Sequence, residues 1–314
     1  MWYKFIVTHI QNLCIFLLIS FGLNAAEVKT VTWSTKHAAP PATLDEKNKN
    51  LLPLIRLGVN ALPEATVMQM TFIGGTTMGI PKAKAQLLQK HVSRKYQQII
   101  EDETFSKVPS ALPYCFSGAK PKSGMASVYL PDKVNAKTQV ILFLHGYGGS
   151  FTFYLKFLAE AFPDHVIICP AFGISCSYIN SQYLQECVTA VSKELDIQLK
   201  KPLLIGLSAG GFGGFREYSR LPNAYSGFIC MAAYPPQDVL GKTPRNGRIR
   251  LVAGAEEYFV KNRYVQRSET RIKYRTRNYA SHFIPKQDHF FMLSAEDTTR
   301  KILLEWANEL QAVD

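Results

Sequence analysis

Residues Pro202–Gly213 read Pro-Leu-Leu-Ile-Gly-Leu-Ser-Ala-Gly-Gly-Phe-Gly. An apolar run stops at Gly206-Leu-Ser208-Ala-Gly210, and the chain restarts as a helix. A strand-to-helix turn of this kind holds its serine at the tip, with the hydroxyl projecting from the sheet edge. A side chain at Gly206 or Gly210 would collide across so tight a turn, and the serine backbone is expected to be strained. Gly-x-Ser-x-Gly alone arises by chance in about one chain in ten of this length, so its surroundings decide the reading.

Those surroundings are apolar runs alternating with amphipathic ones. Gln139–Leu144, His165–Cys169, Pro202–Leu207, Gly227–Ala233, Arg248–Ala253 and Ser281–Ile284 read as strands. Phe151–Phe162, Gln182–Leu199, the segment from Ala209 and Ala295–Leu310 read as helices between or after them. Short apolar runs separated by helices of ten residues or more predict an α/β fold with a mostly parallel sheet covered on both faces. Leu112–Phe116 and Met125–Leu130 suggest a hairpin about Lys120-Pro-Lys-Ser-Gly.

The region upstream is poor in strand signals. His37–Pro53 reads as loop. Lys82–Glu103 reads as an amphipathic helix with Ala85, Leu87, Leu88, Val92, Tyr96, Ile99 and Ile100 on one broad face, started by Pro81. The expected organisation is a signal peptide over 1–26, a partly helical N-terminal extension over 27–108 and a catalytic domain over 109–314.

Lys4, the apolar Leu13–Leu23 and the small residues of Asn24-Ala25-Ala26 have the layout of a cleaved export signal. The apolar run is too short, and too broken by Ser20, Gly22 and Asn24, for a membrane anchor. A secreted or periplasmic location follows. Of the 6 cysteines, Cys14 falls in the signal. Cys169 and Cys230 sit in apolar strands as small hydrophobes. Cys176 and Cys187, flanking a loop and a helix start, are the expected disulfide pair in an oxidising compartment. No cysteine–histidine spacing suggests a metal.

The formal net charge is +12. Basic residues crowd Lys261–Arg277 against the single acid Glu269. Such a run suits an anionic surface or polymer, or is simply a solvated helix face. No nucleic-acid motif accompanies it.

A serine hydroxyl needs a base to take its proton. With chain order serine, acid, histidine, the base is His289 in Ile284-Pro-Lys-Gln-Asp-His-Phe-Phe. The acid belongs after the preceding strand, where Leu251-Val-Ala-Gly-Ala-Glu-Glu ends on Glu256 and Glu257. Glu257 is the first choice and Glu256 the alternative. Asp288 is read as a loop hydrogen-bonding residue, and Asp238 is a remote third candidate. Backbone N–H groups of Ala209 and Tyr147 would hold an oxyanion, each worth roughly 3–4 kcal/mol in the transition state. Tyr147 lies in His145-Gly146-Tyr147-Gly-Gly149, where His145 is expected to hold the loop and Gly146 to allow close approach. His37, His91, His165 and His282 show no ligand spacing.

His145-Gly-Tyr-Gly-Gly, Gly206-Leu-Ser-Ala-Gly-Gly, Gly254-Ala-Glu-Glu and Asp288-His-Phe, in that order, resemble the α/β-hydrolase superfamily over about residues 110–312. Within it the chain is similar to exported esterases: feruloyl esterases, polyhydroxybutyrate depolymerases and esterase D-like proteins. The resemblance implies a serine hydrolase acting on carboxylic esters through an acyl-enzyme, without cofactor or metal. A glutamate stands where aspartate is commoner. Only Pro235–Gly247 separates the sixth strand from the acid region, too short for a lid domain, which implies an open site for a small-molecule, bulky or polymeric ester. A serine peptidase and an acyltransferase share this chemistry. A non-catalytic binding module is the rival from another class, although such proteins usually lose a triad residue or an oxyanion glycine.

Overall fold

A computed structural model of the chain describes residues 26–46, 48–75 and 81–312. Except for Ala26, the expected signal peptide lies outside the described residues. In chain order the elements are β1 (Glu27–Ser34), α1 (Leu52–Ala61), α2 (Glu64–Gly75), α3 (Lys82–Glu101), α4 (Leu112–Cys115) and β2 (Ser123–Leu130). Then come β3 (Val140–Leu144), α5 (Thr152–Ala161), β4 (Val166–Ala171), α6 (Ser181–Glu194), β5 (Leu203–Leu207) and α7 (Ala209–Arg220). The chain continues with β6 (Gly227–Met231), α8 (Gln237–Leu240), β7 (Arg248–Gly254), α9 (Tyr258–Lys261) and α10 (Tyr264–Arg275). It closes with β8 (Asn278–Ile284), α11 (Phe291–Ser294) and α12 (Glu296–Gln311).

The strands form one 8-stranded sheet in the order β1-β2-β4-β3-β5-β6-β7-β8. β1 and β2 run antiparallel to their neighbours, and β4, β3, β5, β6, β7 and β8 are mutually parallel. Alternation along each strand splits the interior in two. In β3, Ile141 and Phe143 join a cluster with α5, α11 and α12, whereas Val140, Leu142 and Leu144 join one with α6, α7 and α10. Burial on both faces is why these strands read as unbroken apolar runs.

Three expectations need correction. Leu112–Phe116 forms no strand: Leu112–Cys115 is a helical turn with Pro113 in its first turn, where a missing N–H does no harm. The antiparallel partner of β2 is instead β1, with Glu27 opposite Leu130 and Ser34 opposite Ser123. The segment upstream of residue 109 thus supplies a strand of the main sheet, and its Val59, Met68, Phe72, Leu88, Val92 and Tyr96 join the same core cluster as Phe143. The α3 face is also narrower than its sequence suggested. Ala85, Leu88, Val92, Tyr96 and Ile99 are buried, but Leu87 and Ile100 are exposed. Finally, Cys176 and Cys187 are both free. Cys187 is wholly buried in the α6–sheet core, while Cys176 lies beside Gly213 of α7.

Glu64 is an unforeseen tie between the N-terminal helices and the sheet layer. Its carboxylate accepts hydrogen bonds from Tyr96 Oη, Ser110 Oγ and the Thr152 backbone N–H that opens α5. Burial pushes its pKa up against these bonds. Lys95, also buried, pairs with Glu296 of α12 at 2.6 Å.

Candidate active site

Because β3, β5, β7 and β8 are parallel, their C-terminal ends share one edge of the sheet. His145 follows β3, Ser208 follows β5, Glu256 and Glu257 follow β7, and His289 follows β8.

Ser208 has φ 53° and ψ −114°. That is a region a residue bearing a Cβ rarely adopts, and such strain concentrates at functional sites. The neighbours enforce it. A Cβ on Gly206 would collide with the Gly210 carbonyl, and one on Gly210 with the Leu144 carbonyl oxygen. The Ser208 N–H is held by the Met231 carbonyl at 2.8 Å, and its own carbonyl accepts from Phe212 in the first turn of α7. Ala209, the first residue of that helix, places its backbone N–H at the positive end of the helix dipole.

Glu257 and His289 meet. The two carboxylate oxygens lie 3.0 and 2.9 Å from His289 Nδ1. The glutamate side chain is 3% exposed and the imidazole 34%. Glu256 turns the other way, into an exposed ion pair with Lys261. The two loops are pressed together, since Glu256 N–H donates to the Gln287 carbonyl at 2.7 Å. A Cβ on Gly254 would collide with that same carbonyl. Among the described residues, neither Ser208 Oγ nor His289 Nε2 has a hydrogen-bond partner.

The N-terminal helices grip the histidine loop on both sides. Lys84 of α3 pairs with Asp288 at 2.8 Å, and Phe72 of α2 meets Phe290 edge-on at 5.7 Å. Asp288 Oδ1 also accepts from the Phe290 N–H. Neither grip was visible in the sequence, because its partners are some two hundred residues apart.

In the loop after β3, His145 is fully buried and stacks on Phe172 at 3.8 Å and 9°. Its Nδ1 is 2.8 Å from the Gly146 carbonyl, and its Nε2 has no partner. Burial holds its pKa down to about 4, so the ring is neutral at pH 7. The position of a Cβ on Gly146 would be 3.6 Å from Ser208 Cβ, which brings this loop against the serine turn. Tyr147 is exposed, and the Gly148 N–H is fixed on the Ile174 carbonyl. Asp238 pairs with Arg216 instead of with a histidine. His37 is 3.7 Å from Glu186, and His165 lies 3.1 Å from the Gln311 side chain.

Beside the serine helix stands an aromatic cluster of Phe212, Tyr234, Tyr258, Phe259 and Tyr264. Tyr258 directly follows Glu257 and is 63% exposed. The β6–β7 connection holds only the short α8. Among the described residues there is no group of side chains suited to hold a metal ion, and no helix long and apolar enough to cross a membrane.

No protein-family model matches the chain, and no curated protein is significantly similar to it in sequence. Solved structures do match its fold. A thermostable carboxyl esterase from Bacillus coagulans superimposes with a TM-score of 0.50 at 10% identity, covering 60% of this chain and 94% of its own. S-formylglutathione hydrolase FrmB from Staphylococcus aureus gives 0.46 at 13% identity over 60% of this chain and 90% of its own. Naproxen esterase from Bacillus subtilis gives 0.43 at 13% identity over 59% and 88%.

Proposed function

We propose that this chain, an α/β-hydrolase by fold, is a serine hydrolase that cleaves carboxylic esters with Ser208, His289 and Glu257. The observation that carries the reading is the strained backbone of Ser208, a non-glycine residue at φ 53° locked between two glycines at the end of β5. Strain of this kind clusters at functional sites, and here it sits in the Gly-x-Ser-x-Gly turn. The Glu257–His289 pair supports it from the other side of the same sheet edge.

In this mechanism His289 Nε2 takes the proton of Ser208 Oγ as the oxygen attacks the ester carbonyl. Glu257 holds the Nδ1–H tautomer and stabilises the imidazolium. The backbone N–H groups of Ala209 and Tyr147 stabilise the oxyanion. The imidazolium then protonates the departing alkoxide, leaving an acyl-enzyme. Water, deprotonated by His289, attacks that acyl group, and collapse returns the proton to Ser208 and releases the acid. Catalytic hydrogen bonds commonly tighten only when substrate binds, and the Ser208–His289 contact forms at that stage.

The short β6–β7 connection and the exposed tyrosines at 147 and 258 favour a bulky, aryl or polymeric ester over a small one buried under a lid. The chain is exported and works outside the cytoplasm after loss of residues 1–26, a reading that rests on the Lys4 and Leu13–Leu23 pattern.

A fluorophosphonate probe tests the nucleophile. It labels the wild-type protein and not Ser208→Ala. Labelling that persists in that variant overturns the assignment. Nitrophenyl esters of increasing acyl length, a feruloyl ester and a peptidyl anilide then separate esterase from peptidase.

A further inference from the structure

At the other end of β7 from Glu257 is a concave, arginine-rich surface. It is a cavity of about 810 Å³ lined by Arg245, Arg248, Arg250, Arg275, Arg277, Asn278 and Glu309, among others. β7 rises about 3.3 Å per residue, which sets the hollow roughly 20 Å from the glutamate. Nothing in the ester chemistry uses it.

The floor is built. Arg250, on β7, is only 4% exposed, a depth at which arginine is rarely found without partners. Its Nε and Nη2 lie 3.2 and 2.5 Å from the Glu309 carboxylate, and its Nη1 donates to the Ile249 and Asn278 carbonyls. Arg248 is anchored to the Ser226 and Glu309 carbonyls. The rim is unmet. Arg245 and Arg277 are exposed and have no side-chain partner among the described residues. Arg275 donates through Nη2 to the Thr243 carbonyl, but its Nε is buried with no acceptor. Glu309 is the single carboxylate in the lining, and Arg250 already occupies it.

Five guanidiniums around one satisfied carboxylate form a receptor for negative charge. A carboxylate or a sulfate ester would neutralise only one of the excess positive charges. A phosphomonoester or a polyphosphate brings at least two, with the several acceptor oxygens that a forked guanidinium engages in pairs. The volume falls in the range of small-molecule sites, larger than one phosphate ion needs. We propose that this hollow binds a phosphate-bearing anion of two or more charges, either a soluble polyphosphorylated molecule or the headgroup of an anionic lipid. The site stands independently of the ester-hydrolase reading.

Inorganic tripolyphosphate is titrated calorimetrically into the full folded chain, and vesicles of phosphatidic acid in phosphatidylcholine are tested by flotation. The comparison is Arg245→Gln/Arg277→Gln against Lys133→Gln/Lys137→Gln, which removes the same charge outside the hollow. Circular dichroism verifies that each variant folds. Expected is saturable binding of one tripolyphosphate per chain, weakened roughly tenfold or more by the arginine pair and little by the lysine pair. Vesicle capture that tripolyphosphate displaces assigns the lipid source. Tripolyphosphate binding without vesicle capture assigns the soluble source. Absence of binding to both probes, or equal weakening by the two double variants, overturns the proposal.

Discussion

Replacing Glu257 by glutamine should all but stop turnover, while the same change one residue earlier should not. Both oxygens of Glu257 are within 3.0 Å of His289 Nδ1, and its side chain is 3% exposed. Glutamine keeps the volume but can turn an NH2 group toward Nδ1, which favours the tautomer with its proton on Nε2. That proton sits where the Ser208 proton must go. Loss of the correct tautomer and of imidazolium stabilisation costs about 10³–10⁴ in kcat, or roughly 4–5.5 kcal/mol of barrier. Glu256 is an exposed partner of Lys261, and such pairs contribute about 0–1 kcal/mol. Glu256→Gln should therefore stay within about twofold of wild type. The assay is initial-rate hydrolysis of a nitrophenyl ester at pH 7.5, with KM and kcat separated and each variant shown folded. A Glu257→Gln enzyme keeping a tenth or more of wild-type kcat, or an equal loss in Glu256→Gln, refutes the assignment of the acid.

His145 gives a pH signature. Its folded pKa of about 4 lies below the ordinary 6.5, so its contribution is whole above pH 6.5 and is lost as pH falls toward 4, for a total of roughly 3 kcal/mol. Urea unfolding at several pH values should show that slope, and His145→Asn should flatten it. Glu64→Ala strands the Thr152 N–H and the Tyr96 and Ser110 hydroxyls. It should cost about 2–4 kcal/mol and lower Tm by roughly 5–10 °C by calorimetry. Gly210→Ala drives a methyl group into the Leu144 carbonyl. A loss of about 3 kcal/mol or more is expected, with the probe no longer labelling Ser208.

The parallel part of the sheet was legible because β3–β7 bury both faces, and a strand buried on both faces reads as a largely apolar word; β8, an edge strand with mixed exposure, was read only over its last residues. β1 was not. Glu-Val-Lys-Thr-Val-Thr-Trp-Ser is an edge strand with mixed exposure, and its partner is nearly a hundred residues away, beyond any local periodicity. Leu112–Phe116 misled because a five-residue, mostly apolar run fits a strand or a helical turn equally well. At the candidate site, chain order pointed to Ser208 and His289 and put Glu257 ahead of Glu256. It left Glu256 open as the alternative, since adjacent residues at a turn point apart and packing decides that Glu257 lies against His289 while Glu256 meets Lys261. Glu64 gave no signal: one acid at a helix start is ordinary, and its partners come from three other segments.

The pairing of Glu27 with Leu130 has a consequence for how the chain is made. β1 leaves the ribosome well before β2 and cannot settle until β2 has followed it, so a large loop closes late and slowly. Until then β2 shows a bare row of amides and carbonyls to any other chain. A shortened protein that begins after Ser34 would carry that open seam permanently. It should self-associate by strand addition even with its chemistry intact.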